Sequence, residues 1–190
     1  MLTSRKNESG INLKRIAPNV KRIGIELGWK PRGVFNILAN LLDVEAGIIC
    51  IGENKKYEGV VYYGNPIYLS KSIVYHQNNV SDSRSSRKKY IMITLDEVPQ
   101  KISCLAITLN IHSAFEKYQH FGVVKNCYIR VVDYETRKEL VRYNITGDFN
   151  SKTAIFVADL YRNNDYWKLS LVEQGVQAKS IDEMVKMICK

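Results

Sequence analysis

The chain has 190 residues, of which 45% are hydrophobic and 25% are charged. This composition is typical of a globular protein long enough to bury a substantial core, and it excludes wholesale disorder. No apolar run approaches 18 residues and the opening MLTSRKNESG contains no apolar signal core, so we expect a cytoplasmic protein without a transmembrane segment.

The formal net charge of +9 is concentrated in two segments. Residues 1–34 carry a net +6, and residues 81–90 carry a net +3, while the rest of the chain is neutral. Arg84, Arg87, Lys88 and Lys89 alternate with serines in the second segment, and hydroxyl and guanidinium groups suit phosphate oxygens. A solvated basic surface and an anion-binding surface both remain open as interpretations.

The predicted elements begin after a flexible N-terminal arm at residues 1–10. Short apolar runs rich in β-branched residues, separated by Gly, Pro, Asn and Asp, predict strands. A polar loop at residues 76–89 and a turn at 96–100 separate the later runs, and residues 112–123 read as one helical turn plus a loop. The strands predicted in the first part of the chain lie at residues 20–27, 35–43, 47–52, 59–63, 72–75, 90–95 and 101–111.

Four further strands are predicted in the second half of the chain, at residues 127–133, 139–145, 153–160 and 167–173. Alternation assigns opposite faces to neighbouring residues. One predicted face is apolar, as a sandwich core requires. Its members are Ile129, Val131, Val141, Tyr143 and Ile145, whereas Tyr128, Arg130, Val132, Leu140, Arg142 and Asn144 are expected on the other face.

A helix is predicted at the C-terminal end, because apolar residues at 181, 184, 185 and 188 have helical spacing. Ser180 followed by Glu183 has the spacing of a capping box. Together, these elements predict an all-β fold, a two-sheet antiparallel β-sandwich with a C-terminal helix. The expected division is an arm at 1–10, the sandwich at 11–176 and the helix segment at 177–190.

The strand-rich second half also resembles a known family. Three blocks, FGVVKNCYIRVVDYETRKELVRYNI, TAIFVADLYR and WKL followed by QG, are similar in order and spacing to the tellurium-resistance TerD family of bacterial stress proteins. Leu27, Gly28 and Trp29 resemble the end of the family's opening strand. The resemblance covers about residues 11–176, and it implies a calcium-binding β-sandwich and a role in the stress response.

The resemblance also places the family's calcium ligands, and this chain departs from them. Two carboxylates of the family's second strand fall on Asn36 and Leu38. The family's calcium loop falls on Asn78, Asn79, Ser81 and Asp82, and its acidic cluster falls on a Ser-Arg-Lys-Lys run ending at Lys89. Asp82 is the only acid left in that loop, and Asp43 is the nearest other candidate. Because calcium requires several charged oxygen ligands, we expect degenerate sites and no metal or other cofactor.

No sequence motif supports catalysis, since the chain lacks GxSxG, a P-loop, GxGxxG and a paired-carboxylate motif. The four cysteines (Cys50, Cys104, Cys127 and Cys189) are far apart and are expected to be buried free thiols. His76 is interpreted as an anchor of the following loop. We therefore expect a non-enzymatic binding or scaffold protein with an unknown protein partner. The alternative is a nucleic-acid or polyanion binder that uses residues 81–90 and the basic N-terminal segment.

Overall fold

The fold consists of antiparallel strands with one C-terminal helix, as described by a computed structural model for residues 10–31, 42–77 and 89–190. The described strands are β1 (Ile11–Asn12), β2 (Arg22–Pro31), β3 (Val44–Gly52), β4 (Tyr57–Val61), β5 (Ile73–Gln77), β6 (Lys89–Thr94), β7 (Ile102–Ile111), β8 (Val124–Asp133), β9 (Glu139–Asn144), β10 (Ala154–Asn163) and β11 (Tyr166–Val176). The helices are α1 (Leu13–Ile16) and α2 (Ile181–Ile188), and short 3-10 turns lie at Glu53–Lys55, Leu95–Glu97 and Phe121–Val123.

The strands form two sheets that pack face to face. A six-stranded sheet has the order β1-β11-β10-β7-β3-β4, and a five-stranded sheet has the order β5-β6-β2-β8-β9. The pairings within both sheets are antiparallel. This arrangement confirms the predicted sandwich.

Inward-facing aliphatic side chains from both sheets form the core. Ile25 and Ile129 of the five-stranded sheet, and Ile48, Ile107 and Ile155 of the six-stranded sheet, are at most 1% exposed. They belong to one contiguous cluster, because alternate residues of each strand point between the sheets. The apolar face predicted for the 127–145 region is therefore the core face.

Helix α2 covers the outer face of the six-stranded sheet. Ser180 caps the helix by accepting a hydrogen bond from the Glu183 amide at 3.4 Å, while the Glu183 carboxylate accepts one from the Lys179 amide at 2.7 Å. Ile181 lies so close to Gly47 that a Cβ there would be 2.3 Å from the isoleucine Cδ1. The buried residues of this second cluster are Ile49, Val60, Ala106, Ala154, Phe156, Ala178, Ile181 and Met184.

Except for the second, which lies mostly outside the described residues, the predicted strands are confirmed apart from their ends. The predicted strand at 20–27 corresponds to β2, which begins at Arg22 and continues to Pro31. Residues 35–41 of the predicted second strand lie outside the described residues, and Leu42 and Asp43 belong to no strand. The segment 112–123 is a loop of successive turns, which includes a backbone hydrogen bond of helical spacing from the Lys117 amide to the Ser113 carbonyl oxygen and a 3-10 turn at Phe121–Val123. The short elements β1 and α1 were not predicted, because two or four residues are too few to show a period.

One residue on the predicted outer face is nevertheless buried. Val132 was predicted on the outer face, and it lies there, but it is only 1% exposed. It packs against the Cα of Gly24, where an added Cβ would be 3.0 Å from a Val132 methyl group. Glycine on the neighbouring strand thus provides space for an apolar side chain on a largely polar face.

Candidate functional site

Most of the sequence-predicted site residues lie outside the described part of the chain. These are Asn36, Leu38, Asn78, Asn79, Ser81, Asp82, Arg84, Arg87 and Lys88. The predicted N-terminal arm at residues 1–10 also lies outside the described residues, apart from Gly10. Lys89 and the candidate acid Asp43 are described, and they are in contact.

Lys89 connects the two sheets through a pair of carboxylates. Its ammonium Nζ lies 2.5 Å from Asp43 Oδ1 and 2.5 Å from Glu45 Oε1, and the Val44 carbonyl oxygen is 3.5 Å away. Glu45 belongs to β3 of the six-stranded sheet, whereas Lys89 begins β6 of the five-stranded sheet. We call Asp43, Glu45, Tyr75 and Lys89 the lysine site.

The lysine site is largely removed from solvent. The side chains of Lys89 and Glu45 are 11% and 6% exposed, and Asp43 is 48% exposed. The Tyr75 hydroxyl donates a 2.8 Å hydrogen bond to the other carboxylate oxygen of Glu45. Burial raises the pKa of Glu45, and the ammonium of Lys89 acts in the opposite direction by favouring the carboxylate.

Calcium does not fit the described lysine site. Its two carboxylates face a point that the ammonium of Lys89 already occupies. A dication 4 Å from an ammonium is repelled by about 2 kcal/mol even at the dielectric constant of water, and by several times more where water is excluded. The same contacts neutralise Lys89, so any anion contact by the basic segment depends on Arg84, Arg87 and Lys88.

Glu45 was missed by sequence reasoning, although a signal was present. It is the only charged residue in the run VEAGIICIG, whose other members are apolar or glycine. A carboxylate in a buried strand requires a partner, because burying an unpaired charge is very costly. The missing information was the identity of that partner, which is 44 residues away on the other sheet.

The outer face of the five-stranded sheet carries a second candidate site, formed by arginine and tyrosine side chains. At its centre Glu26, only 8% exposed, accepts hydrogen bonds from Arg130 Nε at 2.7 Å and from Arg137 at 3.2 Å. A buried carboxylate held by two guanidinium groups fixes the position of both arginines.

Aromatic rings lie between these arginines. The Arg137 guanidinium is 5.9 Å from the ring centre of Tyr90 and 5.7 Å from that of Tyr134, and Arg22 is 5.4 Å from Tyr134. At these distances cations are attracted to ring faces. We define the arginine–tyrosine face as Arg22, Tyr90, Tyr128, Arg130, Tyr134, Arg137 and Arg142, the last of which lies 4.2 Å from the Tyr128 ring centre.

His76, which was predicted to anchor the following loop, lies beside this face, while residues 78–88 of that loop lie outside the described residues. Its ring stacks on Tyr90 with centroids 4.8 Å apart, and its Nε2 is buried without a hydrogen-bond partner among the described residues. His112 contacts the Tyr63 hydroxyl at 3.1 Å, and His120 caps the turn at Gly122. Within residues 10–31, 42–77 and 89–190, no three His, Cys, Asp or Glu residues form a group able to hold a metal ion.

Residues 1–187 of the chain match the family model of the TerD domain. The chain belongs to the TerD family. It is 26% identical to stress response protein SCP2 of Bacillus subtilis, over 97% of this chain and 98% of that protein. It is 28% identical to tellurium resistance protein TerD of Serratia marcescens, over 92% and 91% of the two chains. The TerD-family fold and a place among stress-response proteins are therefore established.

A solved structure agrees with the fold. The crystal structure of a homologue of telluride resistance protein (TerD) from Streptomyces coelicolor A3(2) superposes with a TM-score of 0.68 at 16% identity, covering 89% of this chain and 98% of the other. None of the helices in the described residues is long and apolar enough to cross a bilayer.

Proposed function

We propose that this TerD-family chain is a non-enzymatic binding or scaffold protein of the stress response, with degenerate calcium sites. The arginine–tyrosine face is its binding surface for a protein partner. A cytoplasmic location is part of the proposal, and it is supported by the free thiols of the cysteines, which are typical of reducing compartments.

The observation that carries the proposal is the exposure of ordered arginine and tyrosine side chains on one sheet. The arginines Arg22, Arg130, Arg137 and Arg142 remain 42%, 32%, 51% and 36% exposed although each is oriented by a carboxylate or a ring. Arginine and tyrosine are enriched where truncation costs most binding energy. Side chains that are already ordered also lose less conformational freedom on binding.

The test is a pair of variants in cells that lack the wild-type chain. Arg22→Ser with Tyr134→Ser removes one edge of the face and leaves the buried Glu26 pairs intact, so the variant should melt within about 3 °C of wild type. We expect this variant to lose stress protection and the proteins that copurify with wild type. Tyr118→Ser, at a side chain that is 94% exposed elsewhere, is the control and should retain both. Full protection by the face variant would overturn the proposal.

A polyanion-binding function is the second candidate, and the N-terminal segment favours it. Lys14, Arg15 and Lys21 are exposed, and no carboxylate among the described residues forms an ion pair with them. Unpaired surface cations are available to phosphates, and such binding weakens with salt because counterions are released.

This candidate is tested by anisotropy titrations with a labelled single-stranded oligonucleotide at several salt concentrations. Reversing Lys14, Arg15 and Lys21 to Glu should weaken binding and reduce the salt slope by about one unit per lost contact. An equal reversal at Lys117, Lys138 and Lys186 controls for net charge. Equal losses in both triple variants would show that only the overall charge matters, which would contradict a specific surface.

A further inference from the structure

The lysine site supports an inference about what holds the two sheets together near Asp43. We propose that the ammonium of Lys89 is the resident cation of this site, standing where the oxygen ligands would otherwise hold a hard divalent metal ion. The proposal rests on the proposed loss of calcium binding, and it adds the group that replaces the ion.

The arrangement of oxygens supports this role. Asp43 Oδ1 and Glu45 Oε1 both lie 2.5 Å from one point, the Nζ of Lys89, and the Val44 carbonyl oxygen faces the same point at 3.5 Å. Calcium binds oxygens at about 2.3–2.6 Å. Two carboxylates and a carbonyl are the ligand types that Ca²⁺ prefers over softer metals.

The charge balance of the lysine site also supports the role of Lys89 as its resident cation. With Lys89 in place, two carboxylates face one ammonium and the remaining charge is −1. Without the ammonium the charge is −2, which a divalent ion would neutralise. Glu45 is buried and its second oxygen is already engaged by Tyr75, so the carboxylate cannot turn towards water to relieve the imbalance.

Removing the ammonium should therefore create a dependence on divalent cations. In Lys89→Ala, 10 mM Ca²⁺ should raise the melting temperature by about 3 °C, because three protein oxygens imply a Kd near about 1 mM. The wild-type chain should shift by less than about 1 °C. Lys89→Met, which keeps the length of the side chain but not its charge, provides a second test if the alanine variant is too unstable.

Matched variants identify the source of the response. Lys101→Ala also removes a lysine from a carboxylate, since Lys101 Nζ is 2.6 Å from Glu58, but it is 59% exposed and should show no calcium response. Adding Glu45→Gln to Lys89→Ala should abolish the gain. Lys89→Arg retains a cation and should behave as wild type.

The outcomes separate this inference from the proposed function. A calcium shift of wild type would overturn the proposed degeneration of the calcium sites, whatever the variants do. Wild-type indifference with no gain in Lys89→Ala or Lys89→Met would overturn only the role of Lys89. Variants that are mostly unfolded and whose ratio of folded to unfolded chain does not rise about tenfold in 10 mM Ca²⁺ would also contradict it, because a Kd near about 1 mM implies a shift of that size.

Discussion

The exposure of an apolar side chain determines how much its truncation destabilises the fold. Ile155 of β10 is fully buried between the sheets, whereas Leu171 on the adjacent strand is 38% exposed. Ile155→Ala should lower the free energy of unfolding by about 2–4 kcal/mol, since it removes buried methyl groups and leaves a cavity. Leu171→Ala is the control and should cost less than about 1 kcal/mol. Similar denaturation midpoints for both variants would refute this packing.

The cysteine side chains provide a second prediction at this scale. Burial raises the pKa of Cys50 and of Cys127 to about 12, so at pH 8 only about one thiol in ten thousand is ionised. Because the thiolate is the reactive form, a disulfide reagent should label neither residue in the folded chain on the timescale of minutes. Unfolding in guanidinium should release all four thiols. Rapid labelling of Cys50 or Cys127 before unfolding would contradict the buried positions.

At the scale of the elements, helix α2 depends on its first turn. The Ser180 side chain accepts a hydrogen bond from the Glu183 amide, and the buried residues Ile181 and Met184 cover the six-stranded sheet. Ser180→Ala should therefore lower the free energy of unfolding by about 1 kcal/mol, because a capping hydrogen bond is lost. Ser180→Asp, which can cap equally well, should retain wild-type stability. An alanine variant as stable as the aspartate variant would show that the cap contributes nothing.

The elements also show which sequence signals were sufficient. Short runs rich in β-branched and aromatic residues identified β8 to β11. Alternation within β8 placed Ile129 and Val131 in the core, because the alternation of a strand is a local property. Element ends were less certain, as with β2, since its pairing with β8 rather than its own composition carries it to Pro31. The short elements β1 and α1 leave no periodic signal and form through contacts with β11.

At the scale of the whole molecule, the candidate sites depend on contacts between distant segments. The sequence identified Lys89 as a possible anion-binding residue and Asp43 as a candidate calcium ligand, and only the packing of the two sheets brings them together with Glu45. The same holds for the arginine–tyrosine face, where Arg130 was assigned to the correct side but its partner Glu26 is 104 residues away. Pairing of this kind has no local pattern.

The two outer faces of the sandwich divide the molecule into a covered and an exposed side. Helix α2 buries the outer face of the six-stranded sheet, while the arginine–tyrosine face remains accessible on the five-stranded sheet. The net charge of +9 adds a general attraction to polyanions, but all four arginines of that face are paired with Glu26, Glu135 or Glu139. This pairing favours recognition of a specific protein surface over binding to any anion.

The central proposal is that the calcium sites of this TerD-family chain are degenerate, so that the protein works without calcium. Calorimetric titration of the wild-type chain with Ca²⁺ tests it most directly. We predict no saturable heat, with a Kd above about 10 mM, so that 1 mM Ca²⁺ stabilises the fold by less than about 0.1 kcal/mol. Saturable binding with a micromolar Kd would contradict the account.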